Sequence, residues 1–130
     1  MHRIRLAGPW QIPDHVDKQD SWTNVSLPLT HAATGSEGRL RIRRKFHSPT
    51  GIDSATPLRI CITGERIDGV SLNGELLPAG STTAFVDSDA ISFDVTGRLK
   101  SFNELEVWLL PNPSQPAELR SAELHIDPTN

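Results

Sequence analysis

The residues that could perform acid–base or metal chemistry in this sequence are two closely spaced carboxylates, Asp87 and Asp89, in the segment VDSD. A pair of carboxylates can hydrolyse a glycosidic bond with retention when the two groups lie about 5–5.5 Å apart. We interpret this pair as loop carboxylates instead. The alternative is a structural calcium site, because hard cations prefer clustered oxygen ligands.

The single cysteine and the histidines do not indicate a catalytic nucleophile or a zinc site. The five histidines show no zinc-ligand spacing, and a single cysteine cannot complete a thiolate site. Cys61 lies in the alternating run LRICITG, which predicts a small strand residue. A nucleophilic thiol would need an activating base, and the sequence names none. We therefore predict no catalytic residue and no metal site beyond the calcium alternative.

A row of basic residues alternates with apolar ones in the segment RLRIRRKF. The basic residues are Arg39, Arg41, Arg43 and Lys45. We interpret them as the solvated outer face of a sheet, paired across strands with Glu104 and Glu106. The alternative is a patch for an anion or an acidic partner. A nucleic acid is not expected there, because the sequence places no stacking aromatics between the basic residues.

The elements that would position these residues follow an apolar period of two, which predicts β-strands. The period runs through residues 40–46, 58–63, 70–72, 91–95 and 105–109. Asn73-Gly74 predicts a type I′ hairpin turn, since both central residues of that turn need positive φ. Several short strands separated by turns favour a β-sandwich.

Two segments depart from this period. The polar segment 14–22 is predicted to be a loop or one helical turn. The final run, AELRSAELHID, changes the parity of its apolar positions, which predicts a strand with a bulge near Ser121. A helix is the alternative for that run.

Length and composition predict one domain spanning residues 1–130. The formal charge of −3 is too small to indicate nucleic acid or an anionic membrane as a partner. The sequence shows no signal peptide and no apolar run of about 20 residues, so we expect a cytoplasmic protein.

The segment FDVTGRLKSFNELEV reads as a structural corner between two strands. Asp94 and Thr96 can bind nearby backbone amides and hold the bend. Gly97 tolerates an unusual φ, and Leu99 is expected to fold back over the core. Asn103 is expected to adopt the left-handed backbone conformation before the next strand begins.

The order of these features resembles the N-terminal sugar-binding domain of glycoside hydrolase family 2, the β-galactosidase and β-glucuronidase family. The similar segments are GPW, SWTNVSLPLTH, GRLRIRRKFHSP, LRICITGERIDGVSLNGELL and FDVTGRLKSFNELEV. The last is similar to the family pattern F-D-[IV]-T-x-x-L-K-x-x-N-x-L-x-V almost position by position. The resemblance covers residues 6–110. It departs at Arg41 and Ile42, where the family has an aromatic pair.

The resemblance implies an all-β fold, a jelly-roll β-sandwich that is galactose-binding domain-like. It places the family's catalytic carboxylates in a separate barrel domain, so we expect no enzymatic activity. Carbohydrate binding uses an aromatic platform with planar polar groups beside it. The candidate ligand-binding residues are Trp108, His31, Asn73 and Asp87. Strand parity makes Trp108 the best exposed aromatic, whereas Trp10 and Trp22 are expected in core or edge packing.

The function expected from this resemblance is that of a non-catalytic carbohydrate-binding or accessory module. The alternative is a protein-interaction or scaffold sandwich without a sugar ligand, which would bind a protein partner or form a homo-oligomer. Neither nucleic acid nor membrane is an expected partner, and no cofactor is expected apart from the calcium alternative.

Overall fold

The computed structural model describes residues 2–15, 18–31, 39–77 and 90–126. Within these ranges the chain forms strands joined by turns and short connections. The strands are β1 (His2–Arg5), β2 (Trp10–His15), β3 (Lys18–Val25), β4 (Leu29–His31), β5 (Leu40–His47), β6 (Leu58–Glu65), β7 (Ile67–Leu72), β8 (Glu75–Leu76), β9 (Ala90–Asp94), β10 (Phe102–Leu109) and β11 (Ala117–Ile126).

The strands build two antiparallel sheets that pack face to face. One sheet has five strands in the order β1-β11-β6-β9, with β4 also paired to β11. The other has six strands in the order β3-β2-β5-β10-β7-β8. The chain crosses repeatedly from one sheet to the other, as in a jelly roll. The all-β sandwich expected from the period of two is confirmed.

The core lies between the sheets and is lined by the apolar positions of the alternating runs. Ile42 and Val107 contribute from the six-stranded sheet, and Ile60 and Phe93 contribute from the five-stranded sheet; all four are buried. Leu40 lies at the margin and is only partly buried. Burial of one face of each sheet is the main driving force for this arrangement, at roughly 25 cal/mol per Å² of apolar surface.

The Asn73-Gly74 turn has the backbone that its sequence predicts. Asn73 has a φ of 54° and Gly74 a φ of 85°. The turn joins β7 to β8, with Leu72 opposite Glu75. The predicted hairpin is confirmed.

The prediction of a loop or helical turn for residues 14–22 is wrong. Among the described residues of this segment, 14–15 belong to β2 and 18–22 belong to β3, and these strands form a hairpin in which Pro13 lies opposite Trp22. β3 is the edge strand of its sheet. An edge strand needs no strong apolar alternation, because much of it faces water. The polar composition that indicated a loop is therefore compatible with a strand.

The final run forms strand β11 and not a helix. Its register against β6 shifts between Leu119 and Ser121, so the bulge predicted near Ser121 is confirmed. The bulge lets β11 turn Leu119 and Leu124 to the same core despite their different parity, and both are buried. Gly64 lies opposite Leu119, directly beside this irregularity.

The first half of the corner that precedes β10 is stabilised by Asp94 and Thr96, as predicted. Asp94 accepts hydrogen bonds from the Thr96 backbone amide at 3.0 Å and from the Thr96 hydroxyl at 2.7 Å. The Leu58 amide in turn donates to Thr96 Oγ1 at 3.0 Å. Gly97 has a φ of 74°, and Leu99 packs against the core.

The expected left-handed backbone at Asn103 is wrong, because Asn103 is not among the described residues with positive φ. Its side chain holds the corner instead and is fully buried. Asn103 Oδ1 accepts from the Lys100 amide and Asn103 Nδ2 donates to the Lys100 carbonyl, both at 2.8 Å. Asn73 Nδ2 donates to the same Oδ1 at 3.0 Å, so the corner is tied to the β7–β8 turn.

The corner predicts a measurable acid sensitivity at Asp94. Hydrogen bonds from Thr96 lower the pKa of this carboxyl below its ordinary value of 3.8. Because the folded pKa lies below the unfolded one, the carboxylate stabilises the fold above pH 3.8, and this contribution is lost as pH falls through the folded pKa. We expect Asp94→Asn to lose less stability than the wild type between about pH 6 and about pH 2.5, as measured by urea midpoints.

The effect at Asp94 should be small, because solvent screens an exposed carboxylate. Glu75→Gln, which removes another exposed carboxylate, should keep the acid sensitivity of the wild type. An equal loss of stability in wild type and Asp94→Asn would show that the corner does not depend on the charge.

Candidate ligand-binding face

The outer face of the six-stranded sheet carries the basic row predicted on β5. Arg41 Nε donates to the carboxylate of Glu106, and Arg43 Nη1 lies 3.7 Å from Glu104 Oε1. The predicted cross-strand pairing with Glu104 and Glu106 is confirmed for Arg41 and Arg43. Arg39, just before β5, forms a further ion pair, with Nε 3.0 Å from Asp68 Oδ2. These arginines therefore each have a carboxylate partner.

Glu106 points outward as its parity predicts, yet it is only 8% exposed. β10 is an interior strand, so Glu106 has neighbours on both sides, Arg43 on β5 and Ser71 on β7. The contact with Arg41 offsets part of the desolvation of this carboxylate.

Trp22 lies against this basic row, although the sequence separates it widely from β5. The Cζ atom of Arg43 lies 3.6 Å from the Trp22 ring centroid, and that of Arg41 lies at 5.2 Å. A guanidinium over an indole face is a favourable cation–π contact. The segment RLRIRRKF itself contains no stacking aromatic between its basic residues, and this one comes from a distant strand, because strand pairing brings β3 near β5 through β2.

Trp10 and Trp22 divide the two packing roles expected of them. Trp10 is fully buried in the core, and its Nε1 donates to the Leu6 carbonyl at 2.9 Å. Trp22 lies on the edge strand and is only partly buried.

Trp108 lies on the same outer face, partly exposed as strand parity predicts. The Cζ atom of Arg39 lies 5.3 Å from its ring centroid. Gly69 is the neighbour of Trp108 on β7, and a Cβ there would be in ordinary contact with both Trp108 Cε3 at 3.8 Å and Leu76 Cδ1 at 3.6 Å. The side chains of Trp108 and Leu76 therefore both lie close to the outer side of Gly69.

A chain of planar polar groups extends from the basic row to the edge of the sheet. Arg43 Nε donates to Gln11 Oε1 at 3.0 Å. Gln11 Nε2 donates to Asn24 Oδ1 at 3.2 Å. Arg43 thus connects the amide groups to Trp22 by stacking and to Glu104 by charge.

Strand register places the two partly exposed tryptophans, Trp22 and Trp108, at opposite ends of one row. Trp22 lies opposite Pro13 on β2, and Trp108 lies opposite Arg41 on β5. The four strands β3-β2-β5-β10 are adjacent, so the backbones of Trp22 and Trp108 are about 14 Å apart at about 4.8 Å per strand. We call this surface the tryptophan–arginine face; its residues are Gln11, Trp22, Asn24, Arg39, Arg41, Arg43, Glu104, Glu106 and Trp108.

Of the four residues predicted to bind a ligand, the three that the structure describes do not come together in one site. His31 lies on β4 in the other sheet, opposite Ala117. Asn73 lies opposite Glu104, four residues and about 13 Å along β10 from Trp108. Its amide group is engaged within the protein, because Oδ1 accepts from the Glu104 amide and Nδ2 donates to Asn103. Asp87 lies outside the described residues.

The described residues include no group of three or more histidine, cysteine or acidic side chains arranged to hold a metal ion. Asp87 and Asp89, on which the calcium alternative rests, lie outside them. No helix in the described part of the chain is long and apolar enough to cross a membrane.

Comparison with solved structures shows the same fold in several glycosidases. A β-glucuronidase of glycoside hydrolase family 2 matches with a TM-score of 0.67 and 18% identity, over 95% of this chain and 17% of that one. An FMN-binding β-glucuronidase from Facaelibacterium prausnitzii L2-6 matches with a TM-score of 0.66 and 19% identity, over 95% of this chain and 22% of that one. A β-glycosidase from Bacteroides vulgatus matches with a TM-score of 0.67 and 14% identity, over 97% of this chain and 20% of that one.

No protein-family model and no curated protein matches the sequence. The chain spans only about a fifth of the length of the enzymes it matches in structure. The described residues form a sandwich and include no barrel. This chain therefore has the fold of one β-sandwich domain of family 2 glycoside hydrolases.

Proposed function

We propose that this chain is a non-catalytic carbohydrate-binding module and that its ligand lies on the tryptophan–arginine face. The observation that carries the proposal is the placement of Trp22 and Trp108 on the outer side of one sheet, with planar polar side chains between them. The likeness to a domain of glycosidases supports a carbohydrate as the class of ligand. Fold alone does not assign a function, so the proposal depends on the face.

The face is suited to an extended ligand because its groups are held in place before binding. Arginines contact both indoles, and Arg43 is also bonded to Gln11 and paired with Glu104. Ordering a flexible side chain on binding costs about 0.5–1.5 kcal/mol, and a preorganised surface avoids much of that cost. The indoles supply apolar area, and the amides and guanidinium groups supply hydrogen bonds.

The charge balance of the face favours a neutral sugar over an acidic one. Arg39, Arg41 and Arg43 each lie near a carboxylate of the same sheet. An acidic sugar would have to compete with those carboxylates or lie beside them. We therefore expect galactosides and mannosides to bind at least as well as glucuronides.

The test is isothermal titration with neutral oligosaccharides and with glucuronides. We expect the wild type to bind a neutral oligosaccharide, and Trp108→Ala and Trp22→Ala each to weaken binding by about tenfold or more, since loss of a stacking aromatic costs on the order of 1–3 kcal/mol. Phe102→Ala is the matched control, because Phe102 is half exposed on the same sheet but outside the row. Its affinity should equal that of the wild type.

Two results would contradict the proposal. If no neutral or acidic oligosaccharide produces heat in titration or a chemical-shift change, the proposal that the protein binds carbohydrate is wrong. Equal affinity in the wild type and both tryptophan variants would show that the ligand does not bind to this face.

A protein-interaction module is the second candidate, and Leu76 is the observation that favours it. Leu76 is 71% exposed at the edge strand β8, beside Trp108. An apolar side chain on a sheet edge is a common contact for another chain. A stable dimer in light scattering, together with no carbohydrate binding, would favour this candidate.

A further inference from the structure

Cys61, His125 and Glu123 form a hydrogen-bonded series on the outer side of the five-stranded sheet. Cys61 Sγ lies 3.4 Å from His125 Nδ1, and His125 Nε2 lies 3.2 Å from Glu123 Oε1. A carboxylate can only accept hydrogen bonds, so the neutral imidazole that satisfies both contacts carries its proton on Nε2. His125 Nδ1 is then an acceptor, and the thiol of Cys61 donates to it.

This series has the order of an activated nucleophile: a thiol, a base, and a group that orients the base. The base that the sequence did not reveal is therefore present, 64 residues away along the chain. It comes from β11, which pairs with β6 so that Glu123 lies opposite Cys61.

A second observation comes from the other neighbouring strand. Ser92 on β9 lies opposite Cys61, and its side chain is 1% exposed. Its hydroxyl has no hydrogen-bond partner in the described residues, and it acts on the thiol against the effect of burial, which raises the pKa of Cys61. A buried hydroxyl without a full partner is costly, and it is available to an oxygen atom placed next to the sulfur.

We propose that Cys61 is a peroxide-reactive thiol, built to form a sulfenic acid whose oxygen is held by Ser92. In this step the sulfur attacks one oxygen of hydrogen peroxide; the S–O bond forms and the O–O bond breaks. The thiol proton passes to His125 Nδ1 and then to the departing hydroxide, which leaves as water. Sulfur loses two electrons and the peroxide gains them, so one thiol and one peroxide give one sulfenic acid and one water.

The surroundings of Cys61 limit the oxidants that can reach the sulfur and the products that it can form. Cys61 is 8% exposed, so a molecule the size of peroxide is suitable and a larger oxidant is not. The charged groups facing it are Arg3 of β1, Arg59 of β6 and Glu123 of β11. Burial raises the pKa of the thiol, which alone would slow the reaction. In the proposed step His125 is the base that accepts the proton. The chain has no second cysteine, so the sulfenic acid cannot become an internal disulfide.

The test exposes the folded full-length chain to hydrogen peroxide for increasing times, removes the peroxide, and then unfolds the chain in urea that contains a cyclic 1,3-diketone, so that the trapped sulfenic acid can be measured by intact mass. We expect Cys61 to be trapped in the wild type at a rate at least equal to that of the same chain in urea. His125→Asn, which keeps an acceptor near Nδ1 without its basicity, should react on the order of 100-fold more slowly. In urea the two proteins should react at the same rate, since the contact is then lost.

Ser92→Ala should shorten the lifetime of the sulfenic acid without changing the rate of its formation by more than about twofold. Ser71→Ala is the matched control, because Ser71 carries the other buried hydroxyl without a partner in the described residues but lies in the opposite sheet. Equal rates in wild type and His125→Asn, or faster reaction in urea than in the folded wild type, would overturn the proposal. Equal lifetimes of the sulfenic acid in Ser92→Ala and Ser71→Ala would show that Ser92 does not hold its oxygen.

Discussion

Gly64→Ala is expected to destabilise the protein by about 3 kcal/mol or more, because a methyl group at this position has no space. A Cβ on Gly64 would lie 2.1 Å from the carbonyl oxygen of Glu118 and 3.2 Å from Ile67 Cδ1. The first contact is with backbone, which cannot move without disturbing the bulge between Leu119 and Ser121. The cost is steric, since Gly64 is not among the glycines with positive φ.

Urea unfolding followed by tryptophan fluorescence would measure this effect, with Gly69→Ala as the control. Gly69 also lies within a strand, but a Cβ there would meet its nearest atoms at 3.6 Å and 3.8 Å, which is ordinary contact. We expect Gly69→Ala to change stability by less than about 1 kcal/mol. Similar midpoints for the two variants would mean that β11 does not approach β6 as closely as the structure shows.

Asn103→Ala is expected to cost about 3 kcal/mol, because it leaves several buried polar groups without partners. The variant removes the hydrogen bonds to the Lys100 amide, the Lys100 carbonyl and Asn73 Nδ2. Each buried hydrogen bond contributes about 1 kcal/mol, and an unsatisfied buried partner adds to the cost. The damage should reach the β7–β8 turn, since Asn73 would lose one of its anchors.

The matched control for Asn103 is Asn112→Ala. Asn112 Oδ1 also accepts two hydrogen bonds, from the amide and the hydroxyl of Ser114, but these contacts are exposed. Water can replace them, so the loss should stay below about 1 kcal/mol. Thermal unfolding of both variants would give the comparison. Equal losses would show that burial of Asn103 adds nothing to the strength of the corner.

Both residues lie near strand ends and are buried, so neither is part of the tryptophan–arginine face on the outer side of its sheet. Variants at Gly64 or Asn103 should therefore affect a ligand only through global stability. Variants at Trp22 and Trp108 should show the opposite pattern, with a change in affinity and little change in the unfolding midpoint.

The strands of this protein could be predicted from its side chains because their signals are local. Alternation at Leu58, Ile60 and Ile62 reports which face of a strand is buried, and the Asn73-Gly74 pair reports a turn that few other dipeptides can form. The resemblance of FDVTGRLKSFNELEV to a glycosidase domain pointed to the fold that the solved structures confirm. The prediction for residues 14–22 was wrong because an edge strand can form without strong alternation of apolar and polar residues.

Contacts between strands that are distant along the chain could not be predicted in the same way. The stack of Trp22 on Arg43, the burial of Glu106 and the approach of His125 to Cys61 all depend on which strands are neighbours and in what register. Side-chain alternation specifies the face that a residue occupies, and it contains no information about the residue beside it on the next strand. The local side-chain pattern thus determines the layered β fold. The pairing of strands in the tertiary structure determines which side chains become neighbours and can bind a ligand or react together.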